Sequence, residues 1–183
     1  MRNKHPNHNE CIRILQEYGT PQNVIKHCKA VAGAASRLAF TLNEKGLYLN
    51  TALVLSGGLL HDIARVSEEH WIVGAEYVLQ SGYDLEAEII RHHMHHSHDT
   101  DPYKLKELDM VCLGDRLIME DEFVGLDARM DYAISKAGGQ KWIIDIINEK
   151  REINRVLLQN IENMIDISIT ELIGQGTRDD VNI

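Results

Sequence analysis

Apolar residues recur at three- and four-residue intervals along most of the chain, and no stretch alternates apolar and polar residues between hairpin turns. That periodicity belongs to α-helices, so the sequence predicts a nearly all-helical chain. Helices are expected at about 9–18, 20–46, 50–64, 68–80, 84–95, 104–120, 127–137 and 141–164. The second has Thr20 as a candidate N-cap, Pro21 at its first helical position and Gly46 as its stop, with Val24, Val31 and Leu38 on one face. The third, TALVLSGGLLHDIA, is apolar on most sides and should lie centrally. Asp99 to Pro102 reads as a turn, and Gly138-Gly139 as a break. On the last long helix Ile143, Ile147, Ile153, Val156, Leu157, Ile161 and Met164 form a wide apolar stripe. Such a stripe suits packing within the domain or against a second copy, which leaves a homodimer open. The final GQGTRDDVNI reads as a frayed tail.

Composition narrows the picture. The chain has 183 residues, 44% of them hydrophobic, enough for one domain with a substantial core. A formal net charge of -9 argues against broad contact with a nucleic-acid backbone. Cys11, Cys28 and Cys112 are odd in number and far apart, which fits a reduced chain. No apolar leader segment or membrane span is visible, so a soluble, cytoplasmic protein is expected. The oddity is histidine, with five of ten in the segment HHMHHSH.

Burying an ionisable side chain without a partner costs free energy, so such residues on apolar faces are informative. His27 shares a face with Val24, Val31 and Leu38, where a core-edge histidine bonded to a carbonyl would also fit. Asp62 continues the stripe of Leu55 and Leu59, and His61 shares a face with Val54 and Gly58. Asp115 sits amid Leu108, Val111 and Ile118. At ~100° per residue, His93 points closest to the apolar centre made by Leu85, Ile89 and Ile90; His96 comes next and His92 lies further round. His92 and His96 are one turn apart and suit a surface metal site, although a solvated polar run explains most of that cluster equally well. His70 precedes Gly-Ala at the start of a helix. Inward carboxylates and imidazoles from separate helices make a mixed nitrogen and oxygen ligand set for one or two divalent ions.

In order and spacing, His27, LLHDIAR, His70 in HWIVGA, His93 in IIRHHMH and Asp115 in LGDRL resemble the HD-domain superfamily of metal-dependent phosphohydrolases. The resemblance implies an all-α, compact helical bundle. In this layout residues 1–20 are an N-terminal helix and 21–122 the HD domain. Residues 123–174 are C-terminal helices packing on the same domain, and 175–183 the tail. Among branches the arrangement is most similar to the dinuclear subset that includes symmetrical diadenosine tetraphosphate hydrolases. That likeness implies one ion held by His27, His61, Asp62 and Asp115 and another by Asp62, His70 and His93, with Asp62 bridging and central to catalysis. Arg65, where many relatives carry lysine, is assigned to phosphate contact and catalysis. Arg116 and His96 are expected at the substrate, a salt bridge being the alternative for Arg116. The segment after His93, MHHSHD, lacks the Thr-Thr-Gly associated with the tetraphosphatase branch.

The expected activity is hydrolysis of a small phosphate ester or anhydride, nucleotide-like, by a metal-activated water. The ion could be Fe, Mn, Co, Ni, Zn or Mg. Two other readings use the same residues: a non-catalytic nucleotide- or metal-binding regulatory module, and a mixed-valent di-iron oxygenase.

Overall fold

A computed structural model of the chain describes residues 5–174, and the expected tail at 175–183 lies outside them. Helix α1 (His8–Tyr18) is capped by the Asn7 side chain, which accepts from the Glu10 amide, and ends at Gly19 with φ of 87°. Helix α2 (Gln22–Glu44) departs from expectation at its start: Pro21 holds the cap position and Thr20 makes no cap. Thr20 is buried instead, and its hydroxyl donates to the Ile63 carbonyl at 2.8 Å.

Helix α3 (Thr51–Leu60) stops four residues short of the expected Ala64. Beyond Leu60 the amides of Ile63, Arg65 and Ser67 bond to the carbonyls of Leu60, Asp62 and Ala64. These i→i+3 bonds tighten the chain into successive turns, so His61 and Asp62 leave the helical stripe. Next come α4 (His70–Gln80) and α5 (Asp84–His92), joined by a tight turn at Ser81-Gly82. Asp84 and Glu86 in the first turn of α5, and Arg91 and His92 in its last, match the helix dipole.

After a short 3-10 turn at Pro102–Lys104 comes α6 (Glu107–Asp115). The expected continuation to about Glu120 is replaced by a small antiparallel hairpin, β1 (Ile118–Met119) with β2 (Glu122–Phe123). Glu120 makes its turn at φ of 56°. Two-residue strands are too short for a period-2 pattern to register in sequence. The chain then forms α7 (Gly125–Lys136), α8 (Lys141–Ile165) and α9 (Ile169–Gly174), the last of which periodicity missed. Of the expected α8 stripe, Leu157 and Ile161 are buried but Val156 is exposed. Asn154, Leu158 and Ile165 complete the buried face, turning it away from Val156.

Helix α2 crosses both main apolar clusters. Val31, Leu38 and Leu42 join Met110, Leu113, Leu126, Leu157 and Ile161 in one; Ile25 and Ala32 join Leu15, Leu60, Ile63 and Ile90 in the other. Two glycines let other helices approach it. A Cβ on Gly58 would lie 2.8 Å from the Ala32 Cα, and one on Gly114 2.9 Å from the Val31 carbonyl oxygen. Gly58 is one turn before His61 and Gly114 is next to Asp115, while His27 is one turn before Val31. Two close backbone approaches to α2 therefore fall within a helical turn of three candidate ligands. Among the described residues no helix is long and apolar enough to cross a membrane.

Candidate metal centre

Asp62 and five further side chains, His27, His61, His70, His93 and Asp115, come together from five parts of the fold. Oδ2 of Asp62 lies 3.6 Å from His61 Nε2 and 4.0 Å from His27 Nε2; its Oδ1 lies 3.3 Å from His70 Nε2 and 3.6 Å from His93 Nε2. His27 Nε2 is also 3.2 Å from Asp115 Oδ1. The potential ligand atoms form two close groups, His27, His61 and Asp115 on one side and Asp62, His70 and His93 on the other. The residues singled out from sequence as inward-facing are thus brought together, with Asp62 between two sets of imidazoles.

The main chain sets the rings. Nδ1 of His61 bonds to the Gly58 carbonyl at 2.8 Å, that of His93 to the Ile90 carbonyl at 2.7 Å, and that of His27 to the Glu120 carbonyl at 2.6 Å. A carbonyl accepts only, so each Nδ1 carries the proton; Nε2 of His61 and of His93 presents a lone pair inward, while Nε2 of His27 faces Asp115. Backbone carbonyls behind ligating histidines commonly fix the tautomer in this way. The hairpin missed in sequence has a role here, since Glu120 in its turn orients His27.

Several of these polar atoms have no partner. His61 Nε2, His93 Nε2 and Asp62 Oδ1 are buried without hydrogen bonds. Orphaned acceptors at this depth are costly unless a cation meets them, and nitrogen and carboxylate oxygen are suitable donors for divalent first-row metals. The residues fit a metal centre. Burial pushes His61 down to about 4 despite the nearby carboxylates, so it is a neutral ring at neutral pH. For Asp62 burial works upward, but His61, His70, His93 and Arg65 outweigh it and hold the acid well below the usual carboxylate range. Asp115 is likewise held low against burial, by His27 and Arg129.

The centre opens into a cleft of about 800 Å³. Lys26, Arg65, Arg116, Arg129, Lys136 and Lys150 line it, against Asp62, Asp115, Glu120 and Asp121. Since Asp62 and Asp115 face the imidazoles, what remains for an occupant is mostly cationic, in a chain of net charge -9. Arg65 is half-exposed at the edge, its Nε 3.4 Å from Asp62 Oδ2. Arg129 on α7 donates from Nε to the Ile118 carbonyl at 2.9 Å and from Nη2 toward Asp115 at 3.4 Å. Lys150 on α8 reaches the Met94 carbonyl at 3.1 Å. Sequence reading missed these two cations, because no ligand-like spacing marks them. Their only signal was positive charge on helices that return to the cleft.

Two residues expected at the substrate have protein partners of their own. Arg116 lines the cleft but is buried, with Nη1 bonded to Asn154 Oδ1 at 3.0 Å and Nη2 to the His96 carbonyl at 2.9 Å. It joins α6 to α8 and the histidine loop, and among the described residues it makes no salt bridge. His96 does not line the cleft; its Nε2 lies 2.6 Å from Asp109 Oδ1. The loop reverses after α5 ends at His92, whereas a helix continued to residue 95 would have kept His96 near His93.

With this geometry in place, comparison with known proteins gives the class. The HD-domain family profile matches residues 24–120, just over half of the chain, and the protein belongs to that family. HD domains bind divalent metals and are generally hydrolases of phosphoester bonds. An uncharacterised protein of Methanocaldococcus jannaschii is 42% identical over 72 residues, 38% of this chain and 43% of that protein. A tRNA (cytidine(56)-2'-O)-methyltransferase of Thermoplasma volcanium is 33% identical over 82 residues, 43% of this chain and 23% of that protein. The chain thus spans less than half the length of these curated relatives. No solved structure gives a significant match.

Proposed function

We propose that this chain is a dinuclear metal-dependent phosphohydrolase acting on a small, nucleotide-like phosphate ester or anhydride. The observation that carries the reading is the division of labour at Asp62, whose Oδ2 faces His27 and His61 while Oδ1 faces His70 and His93. One carboxylate between two imidazole sets suits a bridge between two ions. His27, His61, Asp62 and Asp115 would hold one, and Asp62, His70 and His93 the other. Divalent ions bound there supply a water of lowered pKa and charge stabilisation for an in-line displacement at phosphorus.

The protein's own groups do the rest. The carbonyls behind Nδ1 of His27, His61 and His93 hold those three rings in orientation as substrate enters. Arg65 stands half-exposed at the mouth, where its forked guanidinium can take two phosphate oxygens. Arg129 and Lys150 extend positive charge along the cleft and favour an anionic substrate over a neutral one.

The test is phosphate release from a panel of nucleotides and phosphate monoesters, with Mn, Fe, Co or Ni added to chelator-treated protein. Metal-dependent release that disappears in Asp62→Ala is expected. Activity untouched by that substitution would sink the assignment. Nucleotide binding without product would point to a regulatory module, and oxygen uptake with a small organic substrate to an oxygenase.

A further inference from the structure

Chelating side chains converge a second time, away from the cleft. His96 Nε2 and His98 Nδ1 each lie 2.6 Å from the same atom, Asp109 Oδ1. The two rings are nearly perpendicular, with centroids 5.0 Å apart. The His98 side chain is fully buried, Asp109 is 8% exposed and His96 23%. None of the three lines the cleft.

Each donor is held from behind. The other oxygen of Asp109 accepts from the Lys106 amide at 2.8 Å, which fixes the carboxylate plane at the start of α6. The His96 carbonyl accepts from Arg116 at 2.9 Å. Outer contacts of this kind orient metal ligands. As hydrogen bonds alone the arrangement is crowded, since two ring N–H groups point at one carboxylate oxygen.

We propose that His96, His98 and Asp109 form a separate site for a single late first-row divalent cation of the Zn²⁺ type. The cation takes the place of the two N–H protons now directed at Asp109 Oδ1. Both rings are then neutral in the other tautomer, with the proton on Nδ1 of His96 and on Nε2 of His98, so no net proton is released. Ligand atoms ~2.0 Å from a tetrahedral ion lie ~3.3 Å apart, so the contacts must widen by a fraction of an ångström. The non-helical loop after His92 has the freedom to do this. Water completes the coordination from the side where His96 is exposed. Arg116 opposes a cation here, so this site is weaker than the carboxylate-bridged centre. Its ion would brace the loop that follows His93 against α6.

The inference is independent of the activity assigned to the cleft. Full-length chain freed of metal with a chelator is dialysed against Zn²⁺ and, separately, Co²⁺, and metal per chain and the visible absorption of Co²⁺ are measured. His96→Gln and Asp109→Asn should each lower uptake by about one ion per chain and remove one component of the Co²⁺ spectrum. Asp62→Ala should retain that component. Wild-type uptake and spectrum in His96→Gln would overturn the proposal; His96 is partly exposed, so this variant decides the matter if Asp109→Asn, which also loses a helix cap, fails to fold by circular dichroism. Loss of metal in Asp62→Ala alone speaks only to the cleft.

Discussion

The Thr20 hydroxyl donates to the main-chain carbonyl of Ile63, one residue beyond Asp62, at 2.8 Å. This bond joins the start of α2, which carries His27, to the turn that carries His61 and Asp62. Thr20→Val keeps the shape and leaves a buried carbonyl unpaired, at a cost of about 1–2 kcal/mol. Urea denaturation should register the loss, and Thr20→Ser should recover most of it. Equal stability of all three would mean that the bond holds nothing.

The two groups of ligands around Asp62 should separate under substitution. His70→Ala should lower metal content by about one ion per chain and His27→Ala by about one, whereas Asp62→Ala loses both. Elemental mass spectrometry on protein without a histidine tag measures this. Identical stoichiometry in all three variants would argue against a bridging carboxylate.

Acid should destabilise the metal-free protein before ordinary carboxylates titrate. Burial lowers His61 and His98 from 6.5 to about 4, so between those values the unfolded chain binds more protons than the native one. Stability therefore falls as pH drops through that window, by at most roughly 3 kcal/mol per ring. His27 opposes the trend: burial would lower it, but Asp115 raises it overall, and its contribution is lost as pH rises. Asp62, Asp109 and Asp115, all held low, add further losses below about pH 4. Urea midpoints between pH 4 and 7 should rise with pH; a flat profile would contradict the assignment of neutral buried rings.

Gly58→Ala should disturb both fold and metal. The added Cβ would meet the backbone of Ala32 at 2.8 Å, and α2 cannot yield as a flexible side chain would. Destabilisation of about 1–3 kcal/mol is expected, with weaker metal uptake because α3 is pushed away from His27. Calorimetry and dialysis together test it, and unchanged values in both would show that the close packing is incidental.

Arg65→Met should raise KM for the phosphorylated substrate by about tenfold, or ~1.4 kcal/mol, with metal content unchanged. Arg65→Lys should lie between the two. A loss of metal in Arg65→Met would instead make this residue part of the centre's scaffold.

Periodicity made the nearly all-helical character legible, and the polar residues on apolar faces pointed to Asp62 and the five side chains gathered around it. What sequence could not supply was the chain's departure from regular helix. Leu60 ends α3 early because successive turns replace its last bonds, and it is those turns that point the two Asp62 oxygens at different rings. The same limit displaced His96, which helical geometry kept beside His93 but the loop carries to Asp109. The hairpin that orients His27 was too short to leave a period, and Arg129 and Lys150 carried no spacing that could tie them to a site 14 or more residues away.

The cleft has two walls of different origin. Its ligand-bearing wall lies within residues 24–120, where the family profile matches, whereas Arg129, Lys136 and Lys150 come from α7 and α8 beyond it. On the proposed function, the groups that would meet an anion come from both stretches, Lys26 and Arg65 from the matched one and Arg129, Lys136 and Lys150 from α7 and α8, so substitutions in those two helices would alter the cleft's charge without touching an imidazole.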